Sequence, residues 1–425
     1  MTIALLFIGL LTLLLIGVPI AISLGFSSLS FLLFATEDSP TLIAQKIFDT
    51  MEHTTLLAIP FFILSSHFLT TGGVSKRLVE FAKSLVGWMH GGLAMAGVVS
   101  CMLFAAISGS SPATVVAIGS IMIPGMINAG YDKRFAVGVI ATAGSMGILI
   151  PPSIPMIVYA DAVEESVGKM FIAGIIPGLL MGALLMLATW ITARRMKMPR
   201  DEWKGFLYIL KSFKNAFSGL FLIVIVVGGI YGGIFTPTEA AAVAAVYSAF
   251  IALFVHNDMN FKDVPKVMLD SAKMTSVIMF IIACAMIFAH VLTEQQVPQT
   301  LSQAVIDQDL SPASFLFMIN VILWFAGDFM EPSSILLILA PLFHPIAMNL
   351  GIDPIHLGII MTTNMEVGMI TPPVGLNLYV AAGLTGMSLG QVTKAALPWM
   401  GVLIFALILI TYIPWFSLYL VNLMF

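Results

Sequence analysis

The sequence predicts an all-α polytopic membrane protein of two inverted-topology repeats, each with a re-entrant helical hairpin and a broken transmembrane helix. Three observations predict it. Of 425 residues, 59% are hydrophobic and 9% charged, with a mean hydropathy of +1.04. An average soluble protein carries about 25% charged residues. Long apolar runs recur along the whole chain, and two of them have polar, helix-breaking centres. The two halves also match at a separation of 221 residues, as from Pro152 to Pro373, while the charges flanking the matched segments differ.

This composition excludes an ordinary cytosolic enzyme, a disordered chain and a secreted disulfide scaffold. The net charge of −4 leaves no electrostatic footprint for nucleic acid. Cys101 and Cys284 both lie inside apolar runs and read as small core residues.

The first 35 residues are almost wholly apolar, and Gly17-Val18-Pro19 divides them. Proline removes a backbone donor and clashes with the preceding turn. No Lys or Arg precedes the stretch, so it is expected to be retained rather than cleaved as a signal peptide. Runs at 55–70, 134–160, 170–193, 216–234, 238–256, 275–293, 355–382 and 396–421 are long enough to span a bilayer as helices. The blocks 88–126 and 311–349 are too long for one span. Their centres are Ser108-Gly109-Ser110-Ser111-Pro112 and Gly327-Asp328-Phe329-Met330-Glu331-Pro332-Ser333-Ser334. Two half-length helices joined at mid-membrane fit that pattern. Irregular backbone at such depth is tolerated where protein buries it or where it lines a wet cavity.

Basic residues orient the chain. Seven of the 18 fall between Arg194 and Lys214, which places that loop in the cytoplasm. Counting outward puts Lys76, Arg77, Lys83, Lys133, Arg134, Lys262, Lys266, Lys273 and Lys394 inside, and the acidic Glu37-Asp38 and Asp161 to Glu165 outside. The first hairpin then opens to the cytoplasm and the second to the outside. Residues 1–193 form the first repeat, 194–215 a basic cytoplasmic connector and 216–425 the second repeat.

The internal match is specific. Gly147-Ile148-Leu149-Ile150-Pro151-Pro152 pairs with Gly368-Met369-Ile370-Thr371-Pro372-Pro373, and Phe104-Ala105 with Phe325-Ala326. Pro124, Asn128, Gly130, Asp132 and Thr142 recur as Pro345, Asn349, Gly351, Asp353 and Thr363. The first hairpin has Lys and Arg on its flanks, whereas 297–304 and 354–355 have none, so equivalent elements lie on opposite sides. Inverted repeats with discontinuous helices characterise secondary transporters, whose sites lie near the midplane between repeats. Channels also contain repeats, so this narrows the class without closing it.

Four breaks are predicted to converge: two hairpin tips and the interruptions at 147–152 and 368–373. Proline disfavours α geometry in the preceding residue and leaves a carbonyl one turn back unbonded. The upstream glycine permits unwound backbone. Half-helix C-termini and free carbonyls favour hard cations such as Na⁺, and half-helix N-termini favour anions. The first tip offers Ser108, Ser110, Ser111 and Thr114; the second offers Asp328, Glu331, Ser333 and Ser334. Serine and threonine also cap helices, which is the plainer role for any one of them. Asp328 and Glu331 cost about 2.5–3.5 kcal/mol each at mid-depth. They either coordinate a cation or face a wet vestibule. Asn364 and Glu366 precede the second break on the same helix. Glu239 reads as a capping carboxylate for Thr236. His67 and His290 lack partners at ligand spacing, which disfavours haem or zinc. No phosphate loop is present. An intramembrane aspartyl protease is disfavoured because residue 325 is Phe, not Gly, and Asp132 lies at a basic edge. No nucleophile–base or metal set assembles, so an enzyme is not expected.

The runs Phe104-Ala-Ala-Ile-Ser108-Gly-Ser-Ser-Pro-Ala-Thr-Val-Val-Ala-Ile-Gly119, Gly147-Ile-Leu-Ile-Pro-Pro-Ser153, Phe329-Met-Glu-Pro-Ser-Ser-Ile335 and Thr371-Pro-Pro-Val-Gly-Leu-Asn377 carry a family resemblance. The chain resembles, over essentially its whole length, the large membrane subunit of tripartite ATP-independent periplasmic (TRAP) transporters. It is most similar to the four-carbon dicarboxylate branch. One departure is Asp328, where members of that branch commonly carry asparagine. The resemblance implies a bacterial inner-membrane permease with an elevator mechanism and Na⁺ as coupling ion, without another cofactor. It implies a periplasmic substrate-binding protein, a small four-helix membrane subunit as a separate chain and a small organic carboxylate as cargo. By motif match, one cation site involves Ser108, Ser110 and Ser111 with carbonyls near Gly147 and Ile150. A second involves Glu331, Ser333 and Ser334 with carbonyls near Gly368 and Thr371. Thr114, Asp328, Asn364, Pro373, Gly375 and Asn377 are the substrate candidates. The alternatives are another organic acid, such as sialic acid, or a stand-alone ion-coupled symporter or antiporter.

Overall fold

The structure, a computed structural model, describes residues 2–35, 45, 48, 51–307, 310–328, 330–372 and 374–425. Glu37, Asp38, Phe329 and the substrate candidate Pro373 lie outside the described residues. Among the described residues all regular structure is helical. Seven helices among the described residues are long and apolar enough to cross a membrane, or eight if one bent pair counts as a span.

Helices α1 (Thr2–Leu15) and α2 (Ile20–Ala35) are parted at Gly17 and Pro19, as the sequence indicates. The two halves fold back on each other, with Gly9 facing Ser27 across the pair. Helices α3 (Ala58–Thr71) and α4 (Val74–Val86) are bent by 71° at Gly72-Gly73. Gly73 has a φ of 69°, the left-handed conformation glycine adopts without strain. Helix α4 is amphipathic: Val74, Leu78, Val79 and Ala82 are buried, while Arg77 pairs with Asp258 and Lys83 with Asp201. Its charges dilute its hydropathy, so it does not stand out as an apolar run in the sequence.

The first hairpin is α5 (Gly92–Ser108) and α6 (Ser111–Asn128). The first broken span is α7 (Lys133–Ala143), a 3₁₀ turn at Gly144–Ile148, a cis Pro151-Pro152 bond and α8 (Ile154–Ala162). Asp132 starts α7 by accepting the Phe135 N–H at 3.0 Å, and Ser153 caps α8. The long α9 (Val167–Arg195) completes this half.

Helix α10 (Phe206–Ile223) runs on to Tyr231 through a π turn. It therefore begins inside the stretch assigned to the 194–215 connector. Its Lys211 and Lys214 lie in the first half of a mostly apolar helix, where long stems let the ammonium reach the interface. Helices α11 (Pro237–Phe250) and α12 (Val264–Glu294) follow. Glu239 and Thr236 form the expected capping box.

The second half repeats the first: α13 (Val297–Asp307), hairpin α14 (Pro312–Gly327) and α15 (Pro332–Asn349), then α16 (Pro354–Gly368), an interruption, and α17 (Leu376–Thr385). Asp353 caps α16 as Asp132 caps α7. Pro124 and Pro345 lie inside the second arm of each hairpin. The final apolar run, 396–421, is not one span. It divides into α18 (Leu389–Tyr412) and α19 (Trp415–Met424). Pro414 prevents continuation because it lacks the N–H the helix needs.

Candidate functional site

The hairpin tips and the broken spans meet. A Cβ on Gly147 would lie 2.7 Å from the Ser110 carbonyl oxygen and 2.8 Å from Ser111 Cα, so the first break packs backbone to backbone on the first tip. Gly109, at φ 61°, approaches the Pro152 carbonyl equally closely. In the second half a Cβ on Gly368 would lie 2.7 Å from Gly327 Cα. The Val374 N–H donates to the Asp328 carbonyl at 3.1 Å, tying the second break to the second tip.

Within the first tip, Ser110 is extended, and Pro112 in the first turn of α6 favours helix initiation. The Thr114 hydroxyl donates to the Ser110 carbonyl at 2.8 Å and lies 3.0 Å from Ser108 Oγ. Thr114 thus braces the tip. Ser110 makes no capping bond with its side chain, which leaves its hydroxyl unused by the helix. In the second tip, Glu331 is the N-cap of α15. Its carboxylate accepts the Ser334 N–H at 3.2 Å and the Ser333 hydroxyl at 2.9 Å. Glu331 and Ser333 thereby organise the tip as well as lining its surface.

These segments line an open cavity of about 280 Å³. The N-terminal ends of four half-helices supply its wall: Ser110, Ser111 and Pro112; Ile154 and Pro155; Glu331, Pro332 and Ser333; and Leu376. Gly109, Ile148 and Met369 come from the ends that lead into the breaks. Met274, Val277, Ile278 and Ile281 of α12 close the remaining side. The volume is near the lower end for small-ligand pockets, about 300 Å³. Among the described residues no Lys or Arg lines it. Unpaired N–H groups at helix N-termini attract anions, and the neighbouring hydroxyls and carbonyls suit hard cations.

The other sequence candidates are placed as follows. Asn377 reaches across the molecule, donating from Nδ2 to Ser111 Oγ at 2.7 Å, and so joins one repeat to the other. Gly375, at φ 48°, opens α17. The Thr371 hydroxyl donates to the Val367 carbonyl and accepts the Trp324 indole N–H at 3.1 Å. Ile150 packs its side chain on Gly178 rather than lining the cavity. Asn364 is buried and donates to Asn320 of α14 at 2.8 Å, also away from the cavity wall. Asp328 is buried at the C-terminal end of α14, and its Oδ1 has no hydrogen-bond partner among the described residues. Asn320 and the four α12 residues were not among the candidates. The α12 residues are generic apolar side chains, so no local pattern marks them.

The sequence matches the family model "Tripartite ATP-independent periplasmic transporter, DctM component" over residues 7–416. It is 54% identical over 445 residues to the C4-dicarboxylate TRAP transporter large permease protein DctM of Vibrio cholerae, covering 100% of this chain and 98% of that one. It is 58% identical over 400 residues to the Pseudomonas aeruginosa protein of the same name, covering 94% of each. The Alcanivorax borkumensis YdaH transporter structure matches with a TM-score of 0.63 at 17% identity, covering 88% of this chain and 87% of that one, which is a likeness of fold. The chain therefore belongs to the DctM component family of tripartite ATP-independent periplasmic transporters and is a multi-pass protein of the bacterial inner membrane.

Proposed function

We propose that this chain is the permease of a Na⁺-coupled importer of four-carbon dicarboxylates such as succinate, malate or fumarate. One observation carries the reading: four half-helix N-termini and two serine-rich tips face one cavity without a lysine or arginine. A dicarboxylate bound there must be neutralised by helix N-termini, hydroxyls and co-bound cations. The names of the two DctM relatives support the four-carbon class. In this reading Ser108, Ser110 and Ser111 hold one Na⁺ with carbonyls of the first break. Glu331, Ser333 and Ser334 hold another with carbonyls near Gly368 and Thr371. A periplasmic binding protein delivers the substrate, and a separate small four-helix subunit accompanies the permease. Residues 1–193 and 216–425 act as the two inverted repeats, and their hairpins carry substrate past a scaffold in an elevator motion.

The test is reconstitution of the chain with its small subunit and binding protein under imposed gradients. Succinate uptake should follow the Na⁺ gradient; uptake indifferent to it would end the coupling claim. Ser110→Ala combined with Ser111→Ala should weaken Na⁺ activation while the protein stays folded. Unchanged Na⁺ activation in a stably expressed double variant would reject that site. Transport by this chain alone would instead identify a stand-alone carrier.

A further inference from the structure

Glu366 is a carboxylate inside the second broken helix. It lies in the last turn of α16, fully buried, and among the described residues neither carboxylate oxygen has a hydrogen-bond partner. Among the described residues no ion pair reaches it. An isolated buried carboxylate is among the most costly groups a protein can hold. This one also sits at a helix C-terminus, where the partial charge is already negative. At Ile370 the backbone leaves the α pattern, its N–H going to the Val367 carbonyl three residues back.

The first repeat shows that the fold does not require this charge. The matched position is Ser145, whose hydroxyl donates to the Thr142 carbonyl at 2.8 Å. There a small hydroxyl is fully accounted for; here an acid is left bare. One turn back on α16, Thr363 Oγ1 is likewise buried without a partner among the described residues, as is Thr142 Oγ1 at the matched position, so what distinguishes the second repeat is the carboxylate beside the hydroxyl. Residues three apart on a helix share a face. An orphaned carboxylate and an orphaned hydroxyl at a helix C-terminus form a hard-oxygen ligand set. A carboxylate and a hydroxyl are hard oxygen ligands, unlike the nitrogen and sulfur that transition metals prefer.

We propose that Glu366 and Thr363 form a Na⁺ site within the second broken helix, separate from the sites at the two hairpin tips. The cation neutralises the carboxylate and the C-terminal end of α16 together. It thereby holds the half-helix beside the break in its unwound form. The proposal rests on the ion-coupled reading above and adds a cation to it.

The test uses the intact permease with its small subunit, purified, and counts bound ²²Na⁺ at equilibrium alongside the thermal stabilisation by Na⁺ over choline. Glu366→Gln should bind one Na⁺ fewer per chain than wild type. Thr363→Val should keep the number but raise the half-saturating Na⁺ concentration several-fold. The same number and the same half-saturation in Glu366→Gln overturn the site, and they leave the tip sites untouched. If Glu366→Gln does not fold, Thr363→Val decides: an unchanged half-saturating concentration rejects the proposal. Wild type that binds no Na⁺ at all rejects the coupled reading itself, which is a distinct result.

Discussion

At Gly147 and Gly368 the backbone of each break touches the backbone of a hairpin tip, and a methyl group has nowhere to go. Gly147→Ala and Gly368→Ala should each cost about 1–3 kcal/mol, the range for overpacking a fitted contact. A lower thermal midpoint, with uptake falling further than abundance, is the expected measurement. Gly401, inside α18, meets nothing within 4 Å. Gly401→Ala should be neutral or stabilising by up to about 1 kcal/mol, because alanine has the higher helix propensity. If the three variants behave alike, close approach is not what these glycines provide. The importance of Gly147 and Gly368 was legible from their place before Pro-Pro. The role of Asn377 was not: its bond to Ser111 links positions far apart in sequence, and no local pattern encodes that.

Helix starts obey local rules, so their energetics are portable between the repeats. Asp132 and Asp353 each accept backbone N–H groups at the head of a broken span. Replacing either by alanine should cost about 0.5–2 kcal/mol. The two caps serve different helices and share no partner, so a double variant should show nearly additive loss in chemical denaturation. A pH-sensitive contact joins three other elements. His256, just beyond the end of the α11 span, pairs through Nε2 with Ser218 of α10 at 2.8 Å and through Nδ1 with the Gly72 carbonyl at 3.2 Å. The carbonyl only accepts, so Nδ1 donates and neutral Nε2 accepts from the serine. Burial holds the imidazole below its ordinary value. The unfolded chain therefore takes up the proton first, and stability is lost as pH falls below about 6.5. The thermal midpoint should drop between pH 7.5 and 5.5. His256→Gln should flatten part of that drop; an identical pH profile in the variant would remove His256 as its source.

The whole molecule places α12 against both tips, with Met274, Val277, Ile278 and Ile281 forming one wall of the cavity. In the elevator reading this wall belongs to the scaffold and the tips move past it. Cysteines at Ile278 and Pro112, in a chain with Cys101 and Cys284 replaced, should allow a cross-link that arrests uptake until it is reduced. Continued uptake with complete cross-linking would mean that α12 travels with the hairpins.

The sequence by itself determined most of the spans, their breaks and the twofold internal repeat, and its motifs carried the family resemblance; it passed over α4 and read 396–421 as one span. Span length, proline, glycine and capping aspartates act over a few residues, so they are written locally. Tertiary structure decided which polar groups face the cavity. Asn364 turned to Asn320, Thr371 to Trp324, and Asn377 across to Ser111. It also decided that α1 folds back on α2 and that Glu366 is left without a partner among the described residues. A side chain's partner depends on which distant helix packs beside it. That is settled by burial and shape complementarity across the bundle, and no stretch of sequence carries it alone.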